Sequence, residues 1–350
     1  MALGEIGRAK DGQVVLPRRQ LAMVFDLNKC LGCQTCVMAC KTQWTREEGM
    51  DSMWWAVVNT MPGRGTPRDW EVSGGGFDAQ GRPQAGRLPS REDFGEAWEF
   101  NYDEVFRGGK AGVQLRPKGN PTWGPNWDED QGGGEYPNAY YFYLPRICNH
   151  CTHPACLEAC PRSAIYKREE DGVVLINEER CKGYRFCMEA CPYKRIYFNH
   201  VRDVSQKCIF CFPRIEKGVA PACARQCPGR LRFVGYLDDE NGPIHKLVTK
   251  WKVALPLHAE YGTQPNVYYV PPLAPPRIGP GGRRDASQAR IPIEYLRGLF
   301  GDGVDEVLRT LEGEMARRRR GERSELLETL IVYRWPQDIF PDFTRDPANL

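Results

Sequence analysis

No stretch of this chain comes near the roughly eighteen consecutive apolar residues that a bilayer span needs, so no membrane crossing is expected and the polypeptide is expected to be soluble by itself. Charge is nearly balanced, at +3 over 350 residues, which leaves no electrostatic footprint for nucleic acid. There is no Ser, His and Asp arrangement suited to nucleophilic catalysis, no Gly-x-Gly-x-x-Gly between a strand and a helix to cradle a phosphate, and no metal site with an open position. No substrate site is therefore expected. No cysteine is spare either: the fifteen fall into groups of four, four, three and four, and none remains for a disulfide or for packing.

What is present is a set of soft ligands at short spacing. The groups are Cys30, Cys33, Cys36, Cys40; Cys148, Cys151, Cys156, Cys160; Cys181, Cys187, Cys191; and Cys208, Cys211, Cys223, Cys227. Thiolates repeated every third residue let one turn of chain aim several sulfurs at one centre. The first group has the bacterial ferredoxin spacing, and Pro161, Pro192 and Pro228 each follow the last cysteine of a later group, as that pattern expects. Structural zinc is the alternative, since paired Cys-x2-Cys units also make tetrahedral sulfur sites. Zinc ribbons have no use for a fourth cysteine followed by proline, and a group of three would leave a zinc site incomplete. Iron-sulfur clusters are the reading adopted, with colour and metal content as the discriminating observations.

In two-cluster ferredoxins the fourth cysteine of each run serves the cluster of the other run. Pairing the first group with the fourth, and the second with the third, assigns four sites. Three are 4Fe-4S: Cys30, Cys33, Cys36 and Cys227; Cys40, Cys208, Cys211 and Cys223; Cys148, Cys151, Cys156 and Cys191. The fourth has only Cys160, Cys181 and Cys187, because Tyr184 stands where a cysteine is called for. A cubane corner without a thiolate loses its iron readily, so 3Fe-4S is the expected occupant. The alternative is a 4Fe-4S cluster completed by water or the Tyr184 phenolate. Lys182, Arg185, Lys194 and Arg195 are expected to crowd this loop, where positive charge would raise the potential. His150 and His153 lie in a group that already has its cysteines and are expected to pack or hydrogen-bond instead.

The fold class expected is α+β: two ferredoxin-like modules, a long insertion and a helical tail. Residues 1–19 read as an irregular arm. Residues 20–40 and 195–240 form module A, with strands at Gln20 to Asp26, Arg195 to His200 and Arg232 to Leu237. Residues 140–194 form module B, with strands at Tyr140 to Leu144 and Gly172 to Asn177. Between them, residues 41–139 hold no cysteine after the first group but seven of nine tryptophans, with glycine runs at Gly74 to Gly76 and Gly132 to Gly134. So many large aromatic residues suit an ordered segment packed over the cluster core or a partner. Residues 241–350 read as a Pro-rich arm followed by docking helices near Ile293 to Phe300, Val304 to Arg320 and Ser324 to Arg334. The Arg317 to Arg320 run is expected to be a solvated helix end. Arg18 and Arg19 are not read as an export signal, because the apolar run after them stops at Asp26.

Three segments carry a family resemblance: Asp26-Leu-Asn-Lys-Cys30-Leu-Gly-Cys33-Gln-Thr-Cys36; Trp54-Trp55 with Asn59-Thr-Met-Pro-Gly63; and Cys181-Lys-Gly-Tyr-Arg-Phe-Cys187-Met-Glu-Ala-Cys191-Pro-Tyr-Lys-Arg195. The chain resembles the iron-sulfur beta subunits of DMSO-reductase-type molybdenum enzymes. It is most similar to the subgroup of ethylbenzene, dimethyl sulfide and steroid C25 dehydrogenases and selenate and chlorate reductases, with nitrate reductase beta as a longer relative. The resemblance implies a non-catalytic, electron-carrying subunit of a heterotrimer, between a molybdopterin-containing alpha subunit and a haem b gamma subunit. The Cys30, Cys33, Cys36, Cys227 cluster would face alpha, and the Cys160, Cys181, Cys187 cluster would face the haem. It also implies a periplasmic location reached by export with alpha; a cytoplasmic, partner-anchored location is the alternative. A free polyferredoxin-type carrier is the alternative function, disfavoured by so much apparent docking surface.

Overall fold

The computed structural model describes residues 17–119 and 132–349. Trp123 and Trp127, and most of the expected N-terminal arm, lie outside the described residues.

Strand β1 (Leu21–Asp26) is a run of six buried residues, because it is flanked on both sides. It pairs antiparallel with β8 (Arg232–Tyr236) and parallel with β10 (Val267–Val270), and β9 (Leu255–Pro256) completes a sheet of order β8-β1-β10-β9. Continuous apolar character, as in Leu-Ala-Met-Val-Phe, is what a strand enclosed by neighbours requires. The remaining core strands form antiparallel pairs: β2 (Val57–Met61) with β3 (Phe142–Arg146), β4 (Ile165–Lys167) with β5 (Val174–Ile176), and β6 (Ile196–Asn199) with β7 (Val204–Lys207). Farther along, β11 (Pro276–Ile278) pairs with β12 (Arg284–Ala289). The Pro-rich stretch is thus more than an extended arm, since it supplies β9 and β10 to the central sheet.

The helices near the cysteines are short. They are α1 (Thr35–Trp44), α3 (Ala155–Glu158), α4 (Phe186–Ala190), α5 (Phe212–Ile215) and α6 (Ala222–Arg225), with α2 (Tyr102–Phe106) in the insertion. A single turn at Pro243–His245, α7, follows the central sheet. The tail holds α8 (Ile293–Phe300), α9 (Val304–Arg319) and α10 (Glu325–Ile331). Ser324 caps α10 by accepting the Leu327 N–H at 3.2 Å, the usual service of a serine at this position. Asp305 and Glu306 open α9 and Arg317, Arg318 and Arg319 close it, each sign complementing the helix dipole. Arg317 pairs with Glu314 and Glu322, which accounts for part of the arginine run locally.

The described part of residues 41–139 packs inward. Trp54, Trp55, Trp70 and Trp98 are buried. The Gly76 and Gly86 N–H groups donate to the Ala190 and Glu189 carbonyls at the end of α4, just before Cys191. The tail docks on this same chain: Val234 and Ala220 N–H groups donate to Ile339 and Phe343 carbonyls, and Lys29 Nζ reaches the Leu330 carbonyl at 2.7 Å.

Candidate cluster-binding sites

Residues four apart on a helix share a face. Cys36 and Cys40 stand so on α1, and Cys223 and Cys227 are so spaced on and just beyond α6. These two helices pack together, so each offers one sulfur to each of two neighbouring sites. Cys156 with Cys160 and Cys187 with Cys191 repeat the device around α3 and α4, which also pack together.

Cys30, Cys33, Cys36 and Cys227 line one pocket together with Val58, Leu231 and Arg232. Cys40, Cys208, Cys211 and Cys223 line another with Trp44, Trp55 and Phe210. Burial pushes the Cys151 and Cys156 thiols up, and Cys148 and Cys191 add to the effect, so these four also lie together. Burial pushes Cys187 up to about 12, with Cys160 and Cys181 contributing. Cysteines that the spacing groups into one set thus lie near one another. Cys36 also lies near Cys223, Cys208 near Cys148, and Cys187 near Cys191, so neighbouring sets adjoin.

The loops share a backbone device. Gly32 and Gly183, each between the first cysteine and the next ligand position, have φ of +64° and +68°. A Cβ there would also meet the Tyr143 ring at 2.5 Å or the Asp203 carbonyl at 2.8 Å, so only glycine fits. His150 and Phe210 hold the corresponding left-handed positions of the second and fourth groups, at a cost of about 1–3 kcal/mol each. Their rings pack edge to face 5.2 Å apart, and His150 Nδ1 accepts the Val174 N–H at 3.1 Å. His153 stacks on Phe77. Both histidines take the packing roles expected of them.

Tyr184 sits in this frame as the counterpart of Cys33. Gly32 and Gly183 precede the two residues, and Gln34 and Arg185 follow them at φ +58° and +65°. The chain path is kept and only the sulfur is missing. Tyr184 is 56% exposed and lies beside the exposed Phe186, with centroids 6.2 Å apart.

The residues present fit anionic cubanes. A tetrahedral zinc would draw four sulfurs to within about 4 Å of one another. Among the described residues no three or more His, Cys, Asp or Glu side chains lie close enough to hold a single metal ion. Sulfurs already receive donors: Trp44 Nε1 to Cys211 at 3.0 Å, Arg232 Nη2 to Cys36 at 2.9 Å, and the Ser205 N–H to Cys181 at 3.4 Å. Buried negative charge needs nearby positive charge, and Arg232, Lys207 and Lys194 supply it. Lys207 bonds the Cys208 carbonyl and acts on Cys156; Lys194 bonds the Glu189 carbonyl at 2.7 Å and acts on Cys191.

The cation expectation is corrected in part. Lys182 and Arg185 lie exposed on the Tyr184 loop, but Lys194 serves Cys191 of the neighbouring set. Arg195 turns away altogether and donates to the Trp54, Trp55 and Thr66 carbonyls of the insertion. The side chain just ahead of β6 is directed into the insertion by tertiary packing, which no charge pattern reveals. Arg232 and Lys207 were missed because a lone cation in a strand reads as a solvent-facing position.

A family model described as a 4Fe-4S dicluster domain matches residues 139–237. The dimethylsulfide dehydrogenase subunit beta of Rhodovulum sulfidophilum is 58% identical over 320 residues, covering 91% of this chain and 98% of the relative. This chain belongs to the iron-sulfur beta subunits of DMSO-reductase-type enzymes. The selenate reductase subunit beta of Thauera selenatis is another such beta subunit, 58% identical over 321 residues with 91% and 98% covered. The respiratory nitrate reductase 1 beta chain of Escherichia coli strain K12 is 34% identical over 410 residues, with 86% of this chain and 80% of the relative covered. In this beta subunit the matched domain takes in the second, third and fourth cysteine groups; the first group lies ahead of it.

Proposed function

We propose that this beta subunit relays electrons through four clusters in series and performs no substrate chemistry of its own. Cys30, Cys33, Cys36 and Cys227; Cys40, Cys208, Cys211 and Cys223; and Cys148, Cys151, Cys156 and Cys191 hold 4Fe-4S clusters, and Cys160, Cys181 and Cys187 hold 3Fe-4S. They form two ferredoxin-like dicluster modules. Each cluster, when bound, supplies a one-electron couple. The chain's own residues fix the order of the sites, direct N–H groups at sulfur and exclude water.

One observation supports the reading: Cys36 of the first set lies near Cys223 of the second, Cys208 of the second near Cys148 of the third, and Cys191 of the third near Cys187 of the fourth, with Cys33 and Tyr184 both exposed. A catalytic subunit has no need of such a series, and a relay between two partners does. Leu31, Tyr141 and Ile331 are exposed near the Cys33 end, where a molybdopterin alpha subunit docks; Tyr184, Phe186 and Val201 are exposed near the other, where a haem b gamma subunit docks. The family resemblance supports this heterotrimer and a periplasmic location reached together with alpha.

Metal analysis with an EPR-monitored redox titration of the full chain tests the cluster assignment. Iron and sulfide with three 4Fe-4S signals and one 3Fe-4S signal are expected; zinc in their place contradicts it. The isolated subunit should not turn over dimethyl sulfide, selenate or chlorate, and turnover at a rate comparable with the complex would sink the relay. Fractionation and size-exclusion of the native complex should place it in the periplasm, eluting with two partners; elution alone would favour a free carrier.

A further inference from the structure

Arg232 is fully buried on β8, opposite Phe25 of β1, with its guanidinium 4.5 Å from the Phe25 ring centre. Nη2 donates to Cys36 Sγ at 2.9 Å. Nε and Nη1 are buried and have no hydrogen-bond partner among the described residues. No carboxylate pairs with it among the described residues. The groups that act on it are sulfurs of two different sets: Cys36, Cys227 and Cys30 of the first, and Cys223 of the second. Cys40 of the second set feels Arg232 in turn.

A buried cation with two unused N–H edges is costly unless an anion meets it. Arginine stays charged and offers a rigid fork of donors, which suits an extended sulfur surface better than a point-like ammonium does. We propose that Arg232 sets the reduction potentials of the first two clusters, giving one N–H to the Cys36 sulfur and the unused ones to inorganic sulfide. This rests on the assignment of those cysteine sets to iron-sulfur clusters. Adding an electron makes a cluster more negative, so a fixed cation and its N–H donors favour the reduced form and raise the potential. No proton moves in the step, because the guanidinium stays charged throughout.

The test is an EPR redox titration of the full, cluster-loaded chain carrying Arg232→Met. The reduction equilibrium of the first or second cluster should fall at least tenfold, about 59 mV for a one-electron couple. The 3Fe-4S potential should not move. Full cluster occupancy with unmoved potentials would overturn the role of Arg232, whereas a wild-type chain lacking iron-sulfur clusters would overturn the underlying assignment. A second measurement does not depend on that variant loading its clusters. Pulsed EPR of the reduced native protein, labelled with side-chain ¹⁵N-arginine, should show a nitrogen coupling to a cluster that disappears in Arg232→Lys. Its absence from the native protein, or its persistence in Arg232→Lys, would overturn the proposal.

Discussion

Replacing Arg195 by methionine should loosen the insertion from the cluster core. Arg195 is 1% exposed, and its two terminal nitrogens reach the Thr66, Trp54 and Trp55 carbonyls. The three acceptors do not suffer equally. The Thr66 carbonyl still receives Arg146 Nη1 at 3.2 Å, and the Trp54 carbonyl still receives the Tyr197 hydroxyl. The Trp55 carbonyl loses its donor, and a buried acceptor left unpaired costs about 1–3 kcal/mol. Further charge-assisted bonds are lost as well, but removing a desolvated charge beside the like charge of Arg146 offsets part of that. The net is about 2 kcal/mol, roughly a thirtyfold rise in the opened population. Limited proteolysis under native conditions reads that population when cleavage is slow relative to reclosing. Cleavage within residues 41–119 should accelerate by about that factor, with the tail unaffected and Arg195→Lys intermediate. Unchanged cleavage in Arg195→Met would refute the bracing role.

Two further outcomes follow from the same contacts. Gly183→Ala forces a Cβ to 2.8 Å from the Asp203 carbonyl at a φ of +68°, a strain of about 1–3 kcal/mol. The fourth cluster should be lost preferentially, seen as a weakened 3Fe-4S signal beside intact 4Fe-4S signals; equal loss of all four would contradict the local account. At the tail, the Ser324 hydroxyl and then Arg317 hold Glu314 below its ordinary value of 4.5. A depressed carboxylate stabilises the fold fully above its unfolded pKa, and the contribution drains away as pH falls through the lower folded value. Amide protection factors in α10, corrected for intrinsic exchange, should therefore fall below about pH 4.5 in the native chain, and Glu314→Gln should lose that dependence. The same acid response in both would exclude Glu314 as its source.

The cysteine sets are legible in the sequence because the fourth-residue spacing is itself geometry: Cys36 with Cys40, or Cys187 with Cys191, reaches two neighbouring sites in any helical turn. Tyr184 can be matched to Cys33 for the same reason, since Gly32 and Gly183 hold the two loops on one path. The tail helices lie close to the segments expected of them, and the structure adds the Ser324 cap of α10. What escapes is the non-local part. The parallel pairing of β10 with β1 joins Met23 to Val267 across most of the chain, and only the Val267 to Val270 run of β-branched and aromatic residues hints at a strand inside the Pro-rich stretch. The directions of Arg195, Arg232 and Lys207 are set by the tertiary packing around them, so charge pattern alone places the first beside the wrong group and the other two nowhere.

The central claim is a four-cluster series whose last member lacks one iron because Tyr184 replaces a thiolate. EPR of the oxidised full chain, with iron counted per chain, tests it most directly in the native protein and in Tyr184→Cys. The account predicts a 3Fe-4S signal in the native chain that vanishes in Tyr184→Cys as one iron is gained. A native chain without that signal, or a signal that persists in Tyr184→Cys at unchanged iron content, would contradict it.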